Sequence, residues 1–235
     1  MRLTKRDGDI FRFLLEQKFA TLEAIYFRFF DRRKQATDPL PKQFFVTRQR
    51  LGLLHKAGLL TTERVYSESK SLYLLTTKGY HLLRQTSQEP PYAIPAKTVD
   101  FRSYVHDLRV TYCRVALERG RRAFQWVPER QIRMKGYHVK GENLTRNVIP
   151  DGMFISSKGQ RIAFELESSD RKMSRFEAKA HEYRRLGQID HVLWIACESQ
   201  IQKKLSHAVR GDTKFTVGTY GEFARQLFPE VTHAS

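Results

Sequence analysis

The chain has 235 residues, 40% of them hydrophobic and 12% aromatic, enough for one large core or two small ones. Lys and Arg outnumber Asp and Glu 42 to 25, and the formal net charge of +17 points to a polyanionic partner, nucleic acid ahead of an anionic membrane surface. No run of about 18 apolar residues occurs, and acids interrupt the apolar part of the N-terminal stretch, so neither a stable membrane insertion nor a signal peptide is expected and a cytoplasmic location is. Cys113 and Cys197 sit singly in apolar segments, which predicts buried reduced thiols rather than a zinc motif or a disulfide.

In chain order, residues 4–16 predict a helix with Thr4 as cap, Asp7 in the first turn and a stripe of Ile10, Phe13, Leu14 and Gln17. Thr21 caps a second helix running to about Phe30. A third helix spans about Lys42 to Ala57, its stripe being Phe44 or Phe45, Leu51, Leu54 and Ala57, and Gly58 closes it. Short strands at Leu60–Val65 and Ser71–Leu75 flank a polar tip, and a fourth helix starts near Thr77. Three helices, a hairpin and a helix, with the cadence LHKAGLL and YLLTTKGYHLL, resemble a winged helix-turn-helix. That resemblance places Lys42, Gln43, Thr47, Arg48, Gln49 and Arg50 on or near the outer face of the recognition helix, and Arg64 and Lys70 on the wing for backbone phosphates.

Residues 87–99 hold three of the eight prolines and no apolar period, and predict a linker. The expected organisation is therefore a DNA-binding domain at 1–86, the linker, and a second domain at 100–235. The second domain opens with a long helix carrying Val105, Leu108, Val110, Tyr112, Val115 and Leu117, ended by Gly120. Ala123–Arg133 predicts a strand with Glu129 near its end, and 134–147 an exposed basic loop with Lys135, Lys140 and Arg146. Met153–Ile155, the turn Ser156-Ser157-Lys158-Gly159, and Arg161–Glu167 form a hairpin. In its second strand Ile162, Phe164 and Leu166 share one face, and Ala163, Glu165 and Glu167 the other. A helix follows from about Ser174, with Phe176, Lys179, Ala180 and Tyr183 at spacings of three and four. A buried strand at His191–Cys197, a helix at Gln200–Val209, a short strand at Lys214–Thr219 and a helix at Gly221–Phe228 complete the chain.

Asp151, Glu165 and Glu167 are thus expected together beside a helix, where carboxylates persist when they are paired or hold a hard cation such as Mg²⁺ or Mn²⁺. Pro150-Asp151 followed by Glu165-Leu166-Glu167 resembles the PD-(D/E)xK nuclease signature, with Glu167 standing where the pattern has Lys. Lys179 or Lys172 from the following helix are the candidates to restore the cation, Lys179 being alternatively a surface lysine. The α-β-β-β-α-β order is that of the restriction-endonuclease-like core, giving an α+β or α/β two-domain fold class. A Pro-Asp turn and an edge strand with solvated glutamates would produce the same letters without a site.

Taken together, His106-Asp107-Leu108, Trp126 with Glu129, Pro150-Asp151, Glu165-Leu166-Glu167-Ser168-Ser169, and Lys179 with Tyr183 resemble the replication-relaxation family, which includes the MobC-type conjugative relaxases. The resemblance implies a metal-dependent endonuclease that nicks one strand at a plasmid origin of transfer, working with an accessory relaxosome protein and a coupling protein. In that reading Asp151 and Glu165 are metal ligands, and Glu167 is a third ligand or the base for the attacking water. Glu129 either reaches the metal or is an ordinary exposed residue, His106 either orients a carboxylate or phosphate or is structural, and Tyr183 packs or hydrogen-bonds. No His-apolar-His triplet occurs to serve a tyrosine-and-histidine-cluster mechanism. Two other readings fit the same letters: a non-catalytic winged-helix replication or transcription regulator with a degenerate nuclease domain, and a double-strand-cutting endonuclease of a mobile element.

Overall fold

The computed structural model describes residues 2–31, 42–67, 69–86, 93–135, 138–139, 142–143 and 148–227. They form a mixed α+β fold whose chain divides into two compact units, Met1–Thr111 and Tyr112–Ser235.

In the first unit, α1 (Lys5–Gln17) starts at a capping box: Thr4 accepts the Asp7 N–H while the Asp7 carboxylate accepts the Thr4 N–H at 2.7 Å. Its apolar face, Ile10, Phe13 and Leu14, is fully buried. A two-residue strand β1 (Ala20–Thr21) leads into α2 (Leu22–Phe29), capped by the Thr21 hydroxyl, which accepts the Ala24 N–H at 3.2 Å. Next come α3 (Lys42–Lys56), β2 (Leu60–Glu63), β3 (Leu72–Leu75) and α4 (Thr77–Thr86). The sheet runs β1-β3-β2, antiparallel throughout. β1 gives no sequence signal because it has no period of its own; it exists only as the partner of Leu72 and Tyr73.

The cadence read from the sequence has a physical basis in this unit. Gly58 ends α3 with φ +71°. The Thr76 hydroxyl donates to the Gly58 carbonyl at 2.7 Å and accepts the Gly79 N–H at 3.1 Å, and the Lys78 ammonium donates to the Ala57 carbonyl at 2.9 Å. A Cβ at Gly79 would stand 2.4 Å from the Leu59 carbonyl oxygen, so only glycine lets α4 approach the hairpin this closely.

The chain division falls within α5 (Tyr104–Arg119), whose residues to Thr111 belong to the first unit and which ends at Gly120. In the second unit α5 is followed by β4 (Phe124–Pro128), α6 (Glu129–Lys135), β5 (His138–Val139), β6 (Glu142–Asn143), β7 (Gly152–Ile155), β8 (Arg161–Glu167), α7 (Met173–Arg185), β9 (His191–Ala196), α8 (Ser199–Ala208), β10 (Phe215–Thr219) and α9 (Tyr220–Leu227). The five-stranded sheet has the order β10-β9-β8-β7-β4. β4, β7 and β8 pair antiparallel, whereas β8, β9 and β10 pair parallel, with α7 and α8 as crossovers. β8 is the central strand, and six of its seven residues are buried.

Two expectations change here. The single strand expected over 123–133 stops at Pro128, and residues from Glu129 turn into α6, where Ile132 reaches the core and Arg133 pairs with Glu129 one turn back. β4 is itself bent, with a register shift between Phe124 and Val127 and Gln125 at φ +51°. The expected loop over 134–147 contains the β5–β6 pair instead; Lys140 and Arg146 lie outside the described residues, as does the Lys135 side chain.

On one face of the sheet Met153, Ala163, Val192 and Trp194 pack under Phe176, Ala180 and Tyr183 of α7 and Ile201 and Leu205 of α8. On the other, Trp126 stacks on Phe154 (5.8 Å, 5° between planes) and tilts against Phe164 (5.5 Å). Trp126 lies directly over Gly152: a Cβ there would stand 2.3 Å from the indole. Gly152→Ala is therefore expected to cost about 1–3 kcal/mol by overpacking. Urea unfolding followed by circular dichroism checks this; an unchanged midpoint would mean the indole has room to move.

Candidate active site

The β7–β8 hairpin and α7 bring Asp151, Glu165, Lys179 and Tyr183 together. Asp151 lies one residue before β7, where its carboxylate accepts the Leu166 N–H of β8 at 2.8 Å. Glu165 is 2% exposed, on the strand face that α7 covers. One of its oxygens accepts from the Lys179 ammonium at 2.8 Å and the other from the Tyr183 hydroxyl. Lys179 and Tyr183 reach the same carboxylate because residues four apart on a helix share a face. The Lys179 ammonium also lies 5.8 Å from the centre of the Trp194 ring, and Trp194 is the ladder partner of Glu165 on β9.

The electrostatics follow from burial. Burial pushes the Glu165 carboxyl up to about 7; Lys179 pulls against this and the Asp151 carboxylate adds to it. For Lys179, burial works against the ammonium, but Glu165, Asp151 and Glu167 outweigh it and hold the group above the usual lysine range. Tyr183 is driven well above its ordinary value by burial and by Glu165, so it stays a neutral donor.

Glu167 takes a different course. It lies two residues along the same strand face, but its carboxylate accepts from Arg171 at 3.2 Å and from the Ser169 hydroxyl at 3.1 Å. Among the described residues no group of three or more His, Cys, Asp or Glu side chains converges to hold a metal. Asp151 and Glu165 are the two carboxylates that would hold a divalent cation, since Mg²⁺ is commonly held by one or two carboxylates plus substrate phosphates rather than by a full protein cage.

Glu129 and His106 have charged partners of their own, Glu129 standing one residue past the Pro128–Gly152 ladder pair and so alongside Asp151. Glu129 begins α6 and pairs with Arg133 at 2.6 Å. His106 lies in the first unit, its Nδ1 3.8 Å from Asp107, whose carboxylate also accepts from Lys18 at 2.8 Å. Arg171 was not singled out in the sequence, although 171, 175 and 179 repeat a cation at i, i+4, i+8, the signal that would have marked it.

Of the residues expected to touch DNA, Arg48, Arg64 and Lys70 are exposed. Arg64 donates to Ser71 Oγ and the Ser67 carbonyl, both at 3.3 Å, and Lys70 pairs with Glu23 at 2.8 Å. Thr47 does not face outward: it is completely buried, because the inward stripe of α3 passes through 47, 51 and 54. Arg50 is turned inward onto the buried Asp7, its Nε 2.9 Å from Oδ1, and donates to the Arg2 carbonyl. The outer face of α3 carries Phe45 (62% exposed), Val46 and Leu53 beside Arg48 and Gln49. The side chains of Lys42 and Gln43 lie outside the described residues.

The replication-relaxation family matches residues 11–194, most of the chain, and the protein belongs to that family. Membership points to a role in plasmid replication or mobilisation. No curated protein and no solved structure matches the chain. No helix among the described residues is long and apolar enough to cross a membrane.

The raised Glu165 carboxyl has a measurable signature. Its ordinary value is 4.5 and its folded value about 7. Between them the folded state holds the proton more tightly, so this group's stability contribution is full below the lower value and is lost as pH rises through the upper one. Glu165→Gln has no proton to lose, and Lys179 stays charged throughout. The Tm of the variant minus that of wild type is expected to grow between about pH 5 and pH 8. Thermal melts in chelator check this, and a flat difference would mean Glu165 is not titrating in a buried site.

Proposed function

We propose that this protein is a mobilisation relaxase of the MobC type: a metal-dependent endonuclease that nicks one DNA strand at the origin of transfer of a mobile element. The observation that carries the proposal is the meeting of Asp151, Glu165 and Lys179 at the β7–β8 hairpin. The departure from PD-(D/E)xK at Glu167 is offset in space, since Lys179 of α7 puts a lysine against the same carboxylate. The antiparallel β4–β7–β8 set continued by parallel β9 through the α7 crossover is the arrangement expected of such a core over 100–235. For 1–86, the three-stranded sheet with α3 ahead of its hairpin supports a winged helix that locates the origin; residues 87–92 of the expected linker lie outside the described residues.

In this reading Asp151 and Glu165 hold Mg²⁺ or Mn²⁺, which when bound supplies Lewis acidity to the phosphodiester. Lys179 adds a fixed positive charge beside the transferring phosphorus. Tyr183 donates to Glu165 and fixes its rotamer, so the carboxylate is oriented before substrate arrives. Tyr183 is fully buried with its hydroxyl committed to Glu165, so in this reading water attacks the phosphorus. Glu167, farther along the same face, is the carboxylate left to accept that water's proton. An accessory relaxosome protein and a coupling protein are the expected partners.

One observation favours a second reading. With Glu165 satisfied by Lys179 and Tyr183, and Glu167 by Arg171, the carboxylates are internally neutralised, as in a winged-helix regulator whose nuclease domain has lost its chemistry. The two separate on one comparison. A relaxase binds Mn²⁺ by calorimetry and nicks supercoiled origin plasmid, and Asp151→Ala lowers both by about a hundredfold or more while leaving DNA affinity intact. Absence of Mn²⁺ binding, with DNA binding retained, would establish the regulator.

A further inference from the structure

Beside the carboxylates an open cavity of about 450 Å³ is lined by Glu167, Arg171, Arg175, Phe176, Lys179 and Glu182. Phe176 is buried and forms an apolar floor, while Arg171 and Arg175 are exposed. The three cations occur at i, i+4 and i+8. From Arg175 to Lys179 the helix rises about 6 Å, four residues at 1.5 Å each, and Arg171, which precedes α7, is held at the same cavity by Glu167.

Their states differ. Lys179 is bound to Glu165 and Arg171 to Glu167, whereas Arg175 has no charged partner among the described residues. A guanidinium left open to solvent in a groove already holding two paired cations is an anion site with vacant donors. Arg175 and Lys179 are spaced along α7 at roughly the interval of consecutive phosphates on one extended strand, and Arg171 lines the same cavity.

We propose that this groove is the track for the single strand to be cut, with Arg175 and Arg171 each holding a backbone phosphate next to the one at Lys179. The assignment rests on the nuclease reading and adds what the carboxylates cannot supply: the direction in which the strand leaves the site, along α7 toward its N-terminal end. A phosphate at Arg171 also competes with Glu167 for the guanidinium, so strand binding frees Glu167 to face the site. The groove thereby links substrate arrival to release of the proton acceptor.

The test is binding without cutting. The full chain is titrated against a short fluorescein-labelled oligothymidine in chelator and followed by anisotropy at several salt concentrations. Arg175→Ala, which breaks no ion pair, is expected to weaken binding about tenfold, as for one charge-assisted hydrogen bond lost. The slope of log affinity against log salt should fall by about 0.7 for that one phosphate. Arg171→Ala should do the same, and Arg175→Lys should keep the slope while losing part of the affinity. Unchanged affinity and slope in both alanine variants would overturn the proposal, and so would an equal loss on duplex DNA of the same length, since that marks general surface charge. Asp151→Ala serves as the separating control. If wild type does not nick but the arginines still govern oligothymidine binding, the nuclease reading falls and the groove stands. If nicking depends on Asp151 and the arginine variants bind and nick as wild type, the groove falls alone.

Discussion

The second unit is organised around the cost of burying one carboxylate. Glu165 sits on the central strand of a five-stranded sheet, under a helix, where a charge without partners would be prohibitive. Its neighbours answer that cost individually: Lys179 brings a positive charge to one oxygen and Tyr183 a neutral donor to the other. Removing either leaves a buried charge short of a partner, while keeping both ties the rotation of α7 to β8. The surrounding apolar residues, Ala163 below and Phe176 and Ala180 on α7, set how closely the helix approaches and so how dry the carboxylate is. The elevated proton affinity of Glu165 and the fixed pose of Lys179 are two results of the same packing.

The sheet makes the geometry possible. β8 is the strand at which antiparallel pairing gives way to parallel pairing, so a short hairpin brings Asp151 from one side and a crossover helix brings Lys179 and Tyr183 from the other. Asp151 is positioned from two directions, by its own bond to the Leu166 N–H and by Gly152, whose bare Cα lets Trp126 lie across the strand next to it. The first unit uses an analogous device. Asp7 caps α1 and receives Arg50 of α3, so burial, which alone would raise its pKa, is outweighed by hydrogen bonds from Arg50 and Thr4, and the carboxyl is held below its usual range.

Much of this was legible in the letters. Alternation over 161–167 predicted which side Glu165 takes, and spacing over 176–183 predicted the face that meets it, because both periods are set by local geometry. Thr4, Thr21, Gly58 and Gly159 marked their caps and turn for the same reason. Where reading failed, the deciding contact was distant in sequence. β1 exists only because β3 passes beside it, and the run after Pro128 coils because Ile132 has a core to enter. Thr47 and Arg50 looked like surface residues since their type is common at DNA contacts, yet the inward stripe of α3 claims one and Asp7 the other. Glu167 looked equivalent to Glu165 by period alone; the difference comes from Arg171, beyond the end of the strand.

The placement of Trp194 gives the protein an optical handle on its own site. Its indole is fully buried, sits opposite Glu165 in the sheet, and faces the Lys179 ammonium across a cation–π distance. The excited indole is sensitive to the electric field along its ring, and the Lys179–Glu165 pair lies close enough to contribute to that field. Any event that shifts this pair, whether protonation, a cation or a phosphate, is therefore written into the emission of a fully buried residue. Trp126 stacks with Phe154 and Phe164 on the opposite face of the sheet, and provides an internal reference in the same spectrum.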